Sequence, residues 1–107
     1  NRRPSKMNKG KSYPDCVRFH EKNNSTVFAV TDQQGDVVAV HEVFLDKNAK
    51  EIGRKTTGSP ELGYVRFPGK EPAKIYEGEP EDGMKIWAET GQAVLVDVSK
   101  IGDTIHG

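Results

Sequence analysis

Segments in which apolar and polar residues alternate predict β-strands at several points along the chain. Thr26–Thr31 and Val37–Leu45 are rich in β-branched residues, and the polar run Asp32–Asp36 between them contains a glycine suited to positive φ. Together they predict a β-hairpin. Shorter alternating segments predict further strands at Cys16–His20, before a polar turn at Glu21–Ser25, and at Tyr64–Phe67.

The start of the second hairpin arm, Val37 to Val40, is apolar at every position. A strand that is apolar on both faces is typical of the centre of a sheet with cover on each side, so we predict that placement. Farther along, Lys50–Glu61 is polar and contains two glycines and a proline. This composition predicts a flexible loop.

The segment from Lys74 to Gly91 has the pattern of a strand followed by a turn and a helix. Ala73–Tyr76 predicts a short strand. Pro80 suits the first position of a helix of about three turns, and acidic residues follow it where the helix dipole favours negative charge. Gly91 is placed to end the helix in a left-handed conformation.

The helix and the segment after it also carry patterns of burial. Met84, Trp87 and Ala88 stand at positions i, i+3 and i+4, so we expect them to form the buried stripe of the helix. Ala93–Val98 is a nearly continuous apolar run, which is typical of a parallel strand buried on both faces. The strand, helix and second strand predict a right-handed βαβ crossover.

These elements and the composition predict an α+β (α/β-like) domain: a mixed sheet with an antiparallel N-terminal hairpin and one βαβ crossover. The chain has 107 residues and is 34% hydrophobic, which fits one small domain. We expect a basic flexible tail at residues 1–14 and the domain at 15–107. Because the chain begins at Asn1 and ends abruptly, we expect it to be a fragment of a larger protein.

Charge is balanced overall but separated along the chain. Residues 1–70 carry 13 Lys and Arg against 8 Asp and Glu, whereas residues 71–107 carry 3 against 8. The single cysteine, Cys16, excludes an internal disulfide. The chain has no apolar run long enough for a signal peptide or a membrane span, so we expect a cytoplasmic protein without a membrane partner. We also expect it to be a monomer.

The turn before the helix carries a family resemblance. Four features follow one another here: an apolar strand that ends in Glu77-Gly78, an acidic start to the helix, an aromatic residue in mid-helix, and Thr90-Gly91 before a second apolar strand. This arrangement resembles the opening of a Toprim domain, the catalytic fold of bacterial-type primases and topoisomerases. The preceding Leu45–Lys47 turn is similar to the variety found in phage and plasmid primases and conjugative relaxases. The resemblance spans roughly residues 37–102 and covers the first half of the Toprim fold.

The resemblance implies a role for each matching residue. Glu77 would be the general acid or base that assists Mg²⁺, and Gly78 the glycine that lets the backbone turn beneath it. The family also has an Asp-x-Asp motif on a later strand, and this chain has none. Glu79-Pro80 stands where the family usually has a small or apolar residue.

We therefore expect an accessory, non-catalytic Toprim-like module of a larger DNA-processing protein, a plasmid conjugative relaxase or a primase, which helps to position single-stranded DNA or neighbouring domains. We expect no cofactor in this fragment. One alternative is part of a Mg²⁺-dependent nucleotidyl-transfer site that includes Glu77. Another is a protein-docking module with an acidic surface.

Basic and aromatic residues on predicted strands and turns are the candidate contacts to single-stranded DNA. The competing interpretation is an ordinary amphipathic sheet face. A zinc site at Cys16, His20 and His41 is disfavoured, because structural zinc needs four ligands in paired spacings. A nucleophilic role for Cys16 is also disfavoured, since a lone cysteine is usually a small buried hydrophobe. The candidate DNA contacts are Arg18, Lys47, Lys50, Arg54, Lys55, Tyr64, Arg66 and Lys70.

Overall fold

The computed structural model describes residues 14–101 and the pair 104–105, so positions 1–13 of the predicted tail lie outside the described residues. Eight strands form one sheet, and one α-helix of the described chain packs against it. The strands are β1 (Val17–His20), β2 (Ser25–Thr31), β3 (Val37–Leu45), β4 (Glu51–Gly58), β5 (Tyr64–Phe67), β6 (Lys70–Glu77), β7 (Gln92–Asp97) and β8 (Thr104–Ile105); the helix α1 spans Pro80–Thr90, and a 3-10 turn spans Pro60–Leu62.

The sheet is mixed. Its strand order is β6-β7-β5-β2-β3-β4-β8, and β1 pairs with β2 beside this path. β6 and β7 run parallel and are connected through α1, whereas the other strand pairs among the described residues are antiparallel. The predicted α+β class, with an N-terminal hairpin and one βαβ crossover, is confirmed at this level.

The β2–β3 hairpin is closed by the turn that its sequence predicts. The Asp32 carboxylate accepts hydrogen bonds from the backbone N–H groups of Gln34, at 2.9 Å, and Asp36, at 3.0 Å. Gly35 has a φ of 86°, which glycine adopts at no steric cost. Asp32 and Gly35 therefore fix the turn locally.

Helix α1 begins and ends close to where the sequence predicts. Pro80 occupies its first turn, and Gly91 follows its last residue with a φ of 72° and donates its N–H to the Trp87 carbonyl at 2.8 Å. This left-handed cap satisfies a carbonyl that the helix end would leave unpaired. No helix in the described part of the chain has the length and apolar character needed to span a membrane.

The core lies between α1 and one face of the sheet, which we call the covered face. Gly83 is buried against it, and a Cβ there would lie 2.2 Å from Val96 Cγ2. Met84 and Trp87 pack against the core as predicted, and the Trp87 indole N–H donates to the Pro68 carbonyl. The largest fully buried apolar side chains are Phe28, Val30, Val65, Phe67, Val94, Val96 and Val98.

The prediction that Ala88 belongs to the buried stripe is wrong, because Ala88 is exposed. Pro80 and Gly83 are the buried residues of α1. One side of the helix contacts the sheet and carries Pro80, Gly83, Met84 and Trp87. Ala88 is not part of this side. Small residues on this side let the helix approach closely, which apolar periodicity alone does not reveal.

The predicted flexible loop at Lys50–Glu61 is also wrong, because β4 occupies most of it and pairs with β3 along its length. A Cβ on Gly58 would lie 2.5 Å from the Val38 carbonyl oxygen. Gly58 therefore permits close strand approach, which is a known use of glycine in sheets. β4 is polar at most positions, so the apolar alternation that predicts a strand is absent from its sequence.

The face of the sheet opposite α1, which we call the open face, is partly exposed. β3 lies centrally, between β2 and β4, as predicted. The predicted cover on both sides of Val37–Val40 is wrong, since Val37 is 60% exposed and Val38 and Val40 are only partly buried. An apolar run at the end of an antiparallel strand does not require two covering layers.

Candidate nucleic-acid interface

The strand registers bring four of the candidate DNA contacts to the open face. Arg18 is opposite Val27, Val27 is opposite Glu42, and Glu42 is opposite Lys55. Facing residues in antiparallel pairs lie on the same side of a sheet, so Arg18 and Lys55 share a face. Tyr64 pairs with Thr31, and Arg66 pairs with Leu95. Their neighbours Val65 and Phe67 are buried on the covered face, so the alternation places Tyr64 and Arg66 on the open face.

Tyr64 and Arg66 form a stacked pair. The guanidinium carbon of Arg66 lies 5.7 Å from the centroid of the Tyr64 ring, within the range of a cation–π interaction. Arg66 Nε also donates to the Thr31 carbonyl at 3.2 Å. Both side chains are partly exposed. The pair is thus held in place while remaining accessible from solvent.

An open cavity of about 280 Å³ lies beside this pair. It occupies the place where β5 begins, β7 ends and the β2–β3 turn approaches. The residues that line it include Gln33, Glu61, Tyr64, Arg66, Leu95 and Asp97. The cavity therefore combines an aromatic ring, an apolar side chain and charges of both signs.

Asp97 is fixed at the end of β7 by the residue two positions later. Its Oδ1 accepts hydrogen bonds from the Ser99 hydroxyl at 2.6 Å and from the Ser99 N–H at 2.9 Å. These donors hold the pKa of the Asp97 carboxyl below its ordinary value, with the hydroxyl as the larger cause. Asp97 is accordingly an ionised acceptor at neutral pH.

Glu77, the residue that matches the Toprim glutamate, ends β6 and is the register partner of Asp97. Its Oε2 lies 2.9 Å from Lys100 Nζ, and this ion pair is exposed. The hydrogen bond that Lys100 donates to Glu77 raises the pKa of Lys100. The described residues contain no group of three or more His, Cys, Asp or Glu side chains able to hold a metal ion.

The two glycines predicted to allow turns, Gly78 and Gly91, have different constraints. Gly78 has a φ of 151°, and a Cβ there would lie 3.0 Å from Tyr76 Cε2. Gly91 lies at the opposite end of α1, where its left-handed conformation has more space around it. Gly78 therefore allows the chain to turn from β6 into α1 beneath the Tyr76 ring.

The other basic candidates are not part of the Tyr64–Arg66 surface. Lys47 and Lys50 are exposed at the β3–β4 turn, and Lys70 is exposed at the start of β6. Arg54 lies opposite Val43, on the covered face, with 3% of its side chain exposed. The candidate DNA contacts thus divide into a group on the open face, exposed lysines near two turns and one buried arginine.

Arg54 is held in a buried polar network. Its Nη2 lies 2.8 Å from Glu51 Oε1 and 2.6 Å from Glu81 Oε2 on α1. Its Nη1 lies 3.0 Å from Nε2 of the fully buried His41. The hydrogen bonds that Arg54 donates to Glu51 are the largest cause of its raised pKa, so this guanidinium stays charged. Since its donors are used inside the protein, the structure does not bring Arg54 to the open face with the other candidate contacts.

His41 is a member of this network that the sequence analysis does not assign to a site with Arg54. Its Nδ1 lies 2.7 Å from Thr56 Oγ1. Because Arg54 can only donate, His41 Nε2 must accept, which assigns the neutral tautomer with hydrogen on Nδ1. The alternation of β3 with the buried Ala39 and Val43 is the signal that places His41 inward.

The residues considered for zinc have separate environments. His20 is exposed on β1, His41 is buried on β3, and Cys16 is partly buried beside the core. Burial raises the pKa of the Cys16 thiol to about 12. The thiol is therefore protonated at neutral pH and is a poor nucleophile.

Comparisons with known proteins returned no match: no family model matches the chain, and no curated protein or solved structure matches it significantly. The resemblance to the Toprim fold therefore stays a prediction. The open face, with its cavity and its ordered aromatic–guanidinium pair, is the candidate functional site that the geometry defines.

Proposed function

We propose that this chain is an accessory, non-catalytic Toprim-like module of a larger DNA-processing protein, such as a plasmid conjugative relaxase or a primase, and that its open face binds single-stranded DNA. The observation that carries the proposal is the Tyr64–Arg66 pair, ordered yet accessible on a sheet face. Proteins that bind single strands combine aromatic rings, on which bases stack, with arginines that contact phosphates or stack themselves.

The neighbouring charges support a path for the strand across this face. Arg18 and Lys55 are exposed basic residues on the same face as Arg66. Glu42, which lies between Arg18 and Lys55 in the register, accepts hydrogen bonds from Asn23 and Ser25. Asp97 and Glu77 lie toward β6, at the other side of the Tyr64–Arg66 pair. Since phosphates avoid carboxylates, the backbone would follow the basic side and the bases would point toward β7.

The acidic residues support an accessory role over catalysis. Glu77 is exposed and paired with Lys100, and Oδ1 of Asp97 accepts hydrogen bonds from Ser99. Metal-assisted phosphoryl chemistry requires carboxylates that together fix one or two cations. In this proposal Glu77 retains the position of the Toprim glutamate, and the carboxylates needed for chemistry lie elsewhere in the larger protein.

A titration of the chain with a labelled single strand of about twelve nucleotides tests the proposal, since binding modules of this size cover about 4–16 nucleotides. The affinity should fall between about 50 mM and about 200 mM salt, because bound phosphates release counterions. Arg66→Glu should weaken binding about tenfold. Lys85→Glu, the same charge change on an exposed position of α1, is the matched control and should have little effect. Absence of binding at both salt concentrations would contradict the proposal.

A second candidate function is favoured by one observation, the adjacency of Glu77 and Asp97 at the carboxyl ends of two parallel strands. Such ends form the crevice in which parallel sheets bind ligands. In this alternative the pair is part of a Mg²⁺-dependent nucleotidyl-transfer site. It requires Mg²⁺ binding by the chain that Glu77→Gln abolishes, and calorimetric titration with Mg²⁺ in the absence of DNA distinguishes it from the first proposal.

A further inference from the structure

The cavity beside the Tyr64–Arg66 pair has the size of a site for one small planar group. Its volume of 280 Å³ lies just below the roughly 300–1,000 Å³ typical of pockets for drug-sized ligands. Tyr64 and Leu95 supply an aromatic and an apolar wall. A single nucleobase, planar and stackable, matches this combination better than a larger cofactor does.

The cavity also contains one fixed acceptor and one fixed donor. Ser99 donates to Oδ1 of Asp97, which leaves Oδ2 available to a ligand. Nε of Arg66 donates to Thr31, and the described residues accept no hydrogen bond from its terminal nitrogens. Tyr64 and Ser99 thus orient the two charged groups without using all of their hydrogen-bonding capacity. The lowered pKa of Asp97 means that its carboxylate acts only as an acceptor at neutral pH.

We propose that the cavity selects a guanine base of the bound single strand, with Asp97 accepting from guanine N1–H and N2–H and Arg66 donating to O6 or N7. This inference rests on the function proposed above. It adds base specificity to a surface that would otherwise bind any sequence.

The pattern of donors and acceptors favours guanine over the other bases. Guanine has two neighbouring donor positions, N1–H and the N2 amino group, next to the O6 and N7 acceptors that arginine commonly contacts. Adenine and cytosine each offer one amino donor, and thymine would place carbonyl oxygens against the Asp97 carboxylate. Guanine is therefore the base that satisfies Asp97 with two hydrogen bonds while also satisfying Arg66.

Base substitution in the DNA tests the proposal without altering the protein. The full 107-residue chain is titrated with an oligo-dT strand and with the same strand carrying one central dG, dA or dC. We expect the dG strand to bind about tenfold more tightly than the others, since one good base contact discriminates by about 1–3 kcal/mol. Inosine, which lacks the N2 amino group, should bind about fivefold more weakly than dG.

A pair of protein variants assigns the preference to Asp97. Asp97→Asn should remove the preference for dG over dT, dA and dC, because the amide no longer offers a charged carboxylate that accepts from guanine. Glu89→Gln, an exposed residue near the end of α1, removes the same charge and should leave the preference intact. If Asp97→Asn does not fold, the inosine result on the native chain still decides the question.

The outcomes separate this inference from the function on which it rests. Equal binding of all four strands would overturn guanine selection and leave single-strand binding in place. A dG preference that inosine retains would overturn the contact to the N2 amino group that defines the proposal. Failure to bind any strand would overturn both.

Discussion

Two arginines on opposite faces of one sheet have opposite environments. On the covered face, Arg54 is 3% exposed and is bound by Glu51, Glu81 and His41. On the open face, Arg66 is partly exposed, stacked on Tyr64 and held through its Nε alone. Both were equivalent candidates for DNA contacts in the sequence. An arginine is therefore available to a ligand only where the fold leaves its terminal donors unused.

The largest effect is expected at Arg54. Arg54→Met removes the buried cation that contacts Glu51 and Glu81 and the donor that faces His41 Nε2, so the free energy of unfolding should fall by about 2–4 kcal/mol. Urea denaturation measures this loss. Lys85→Met, which removes a charge from an exposed position of α1, should change stability by less than about 0.5 kcal/mol.

DNA affinity per folded molecule should be the same for Arg54→Met and the native chain. A selective loss of DNA affinity without a loss of stability would reverse the roles assigned to the two faces.

Gly83→Ala tests how closely α1 approaches the covered face. The added Cβ would lie 2.2 Å from Val96 Cγ2, so Val96 or the helix must shift. Overpacking of this kind should lower stability by about 1–3 kcal/mol. This outweighs the gain of about 1 kcal/mol or less that alanine brings to a helix. A stabilised Gly83→Ala variant, measured by thermal unfolding, would show that the helix lies farther from the sheet.

Tyr64→Ala should have the opposite profile to Arg54→Met. Loss of a stacking surface should weaken single-strand binding by about 1–3 kcal/mol, while unfolding changes little because Tyr64 is only partly buried. Phe19→Ala is the matched control, since Phe19 is an aromatic residue 52% exposed on β1 and pairs with Thr26, away from the Tyr64–Arg66 pair. Equal losses of affinity in the two variants would indicate nonspecific contacts.

The smallest effect concerns pH. The folded-state pKa of Asp97 is lowered by Ser99, so its contribution to stability is present above the ordinary aspartate pKa of 3.8 and is lost as the pH falls through the lower folded value. Asp97→Asn should therefore lose less stability than the native chain on acidification below about pH 4. Parallel acid dependence of the two proteins, measured by circular dichroism, would show that Ser99 does not stabilise the ionised form.

The sequence revealed those elements whose side-chain pattern is set by one buried face. Tyr64–Phe67 alternates, so its faces could be assigned before the structure was known, and the Pro80 and Gly91 signals bounded the helix. β4 was missed because its inward residues, Arg54 and Thr56, are polar and belong to the buried network with His41. A strand with buried polar residues lacks the apolar alternation that identifies a strand in the sequence. The residues that bind those polar groups are distant in the sequence, so no local pattern shows that the groups are buried.

The candidate site was predictable in part for a related reason. Tyr64 and Arg66 share a strand, so their proximity followed from alternation. Asp97 and Gln33 reach the same cavity from strands and turns far away in sequence, and no local pattern joins them. Arg54 could be distinguished from Arg66 only by knowing that Glu81 on α1 lies against it.

Binding at the open face and not at the covered face can be tested directly by mapping backbone amide chemical shifts as a single strand of DNA is added to the ¹⁵N-labelled chain. If the open face binds the strand, we expect shifts at open-face residues, with His41, Arg54 and Glu81 unchanged; the shifted residues should include Arg18, Lys55, Tyr64, Arg66 and Asp97. Shifts centred on α1 and the covered face, or none at a concentration that saturates binding, would contradict binding at the open face.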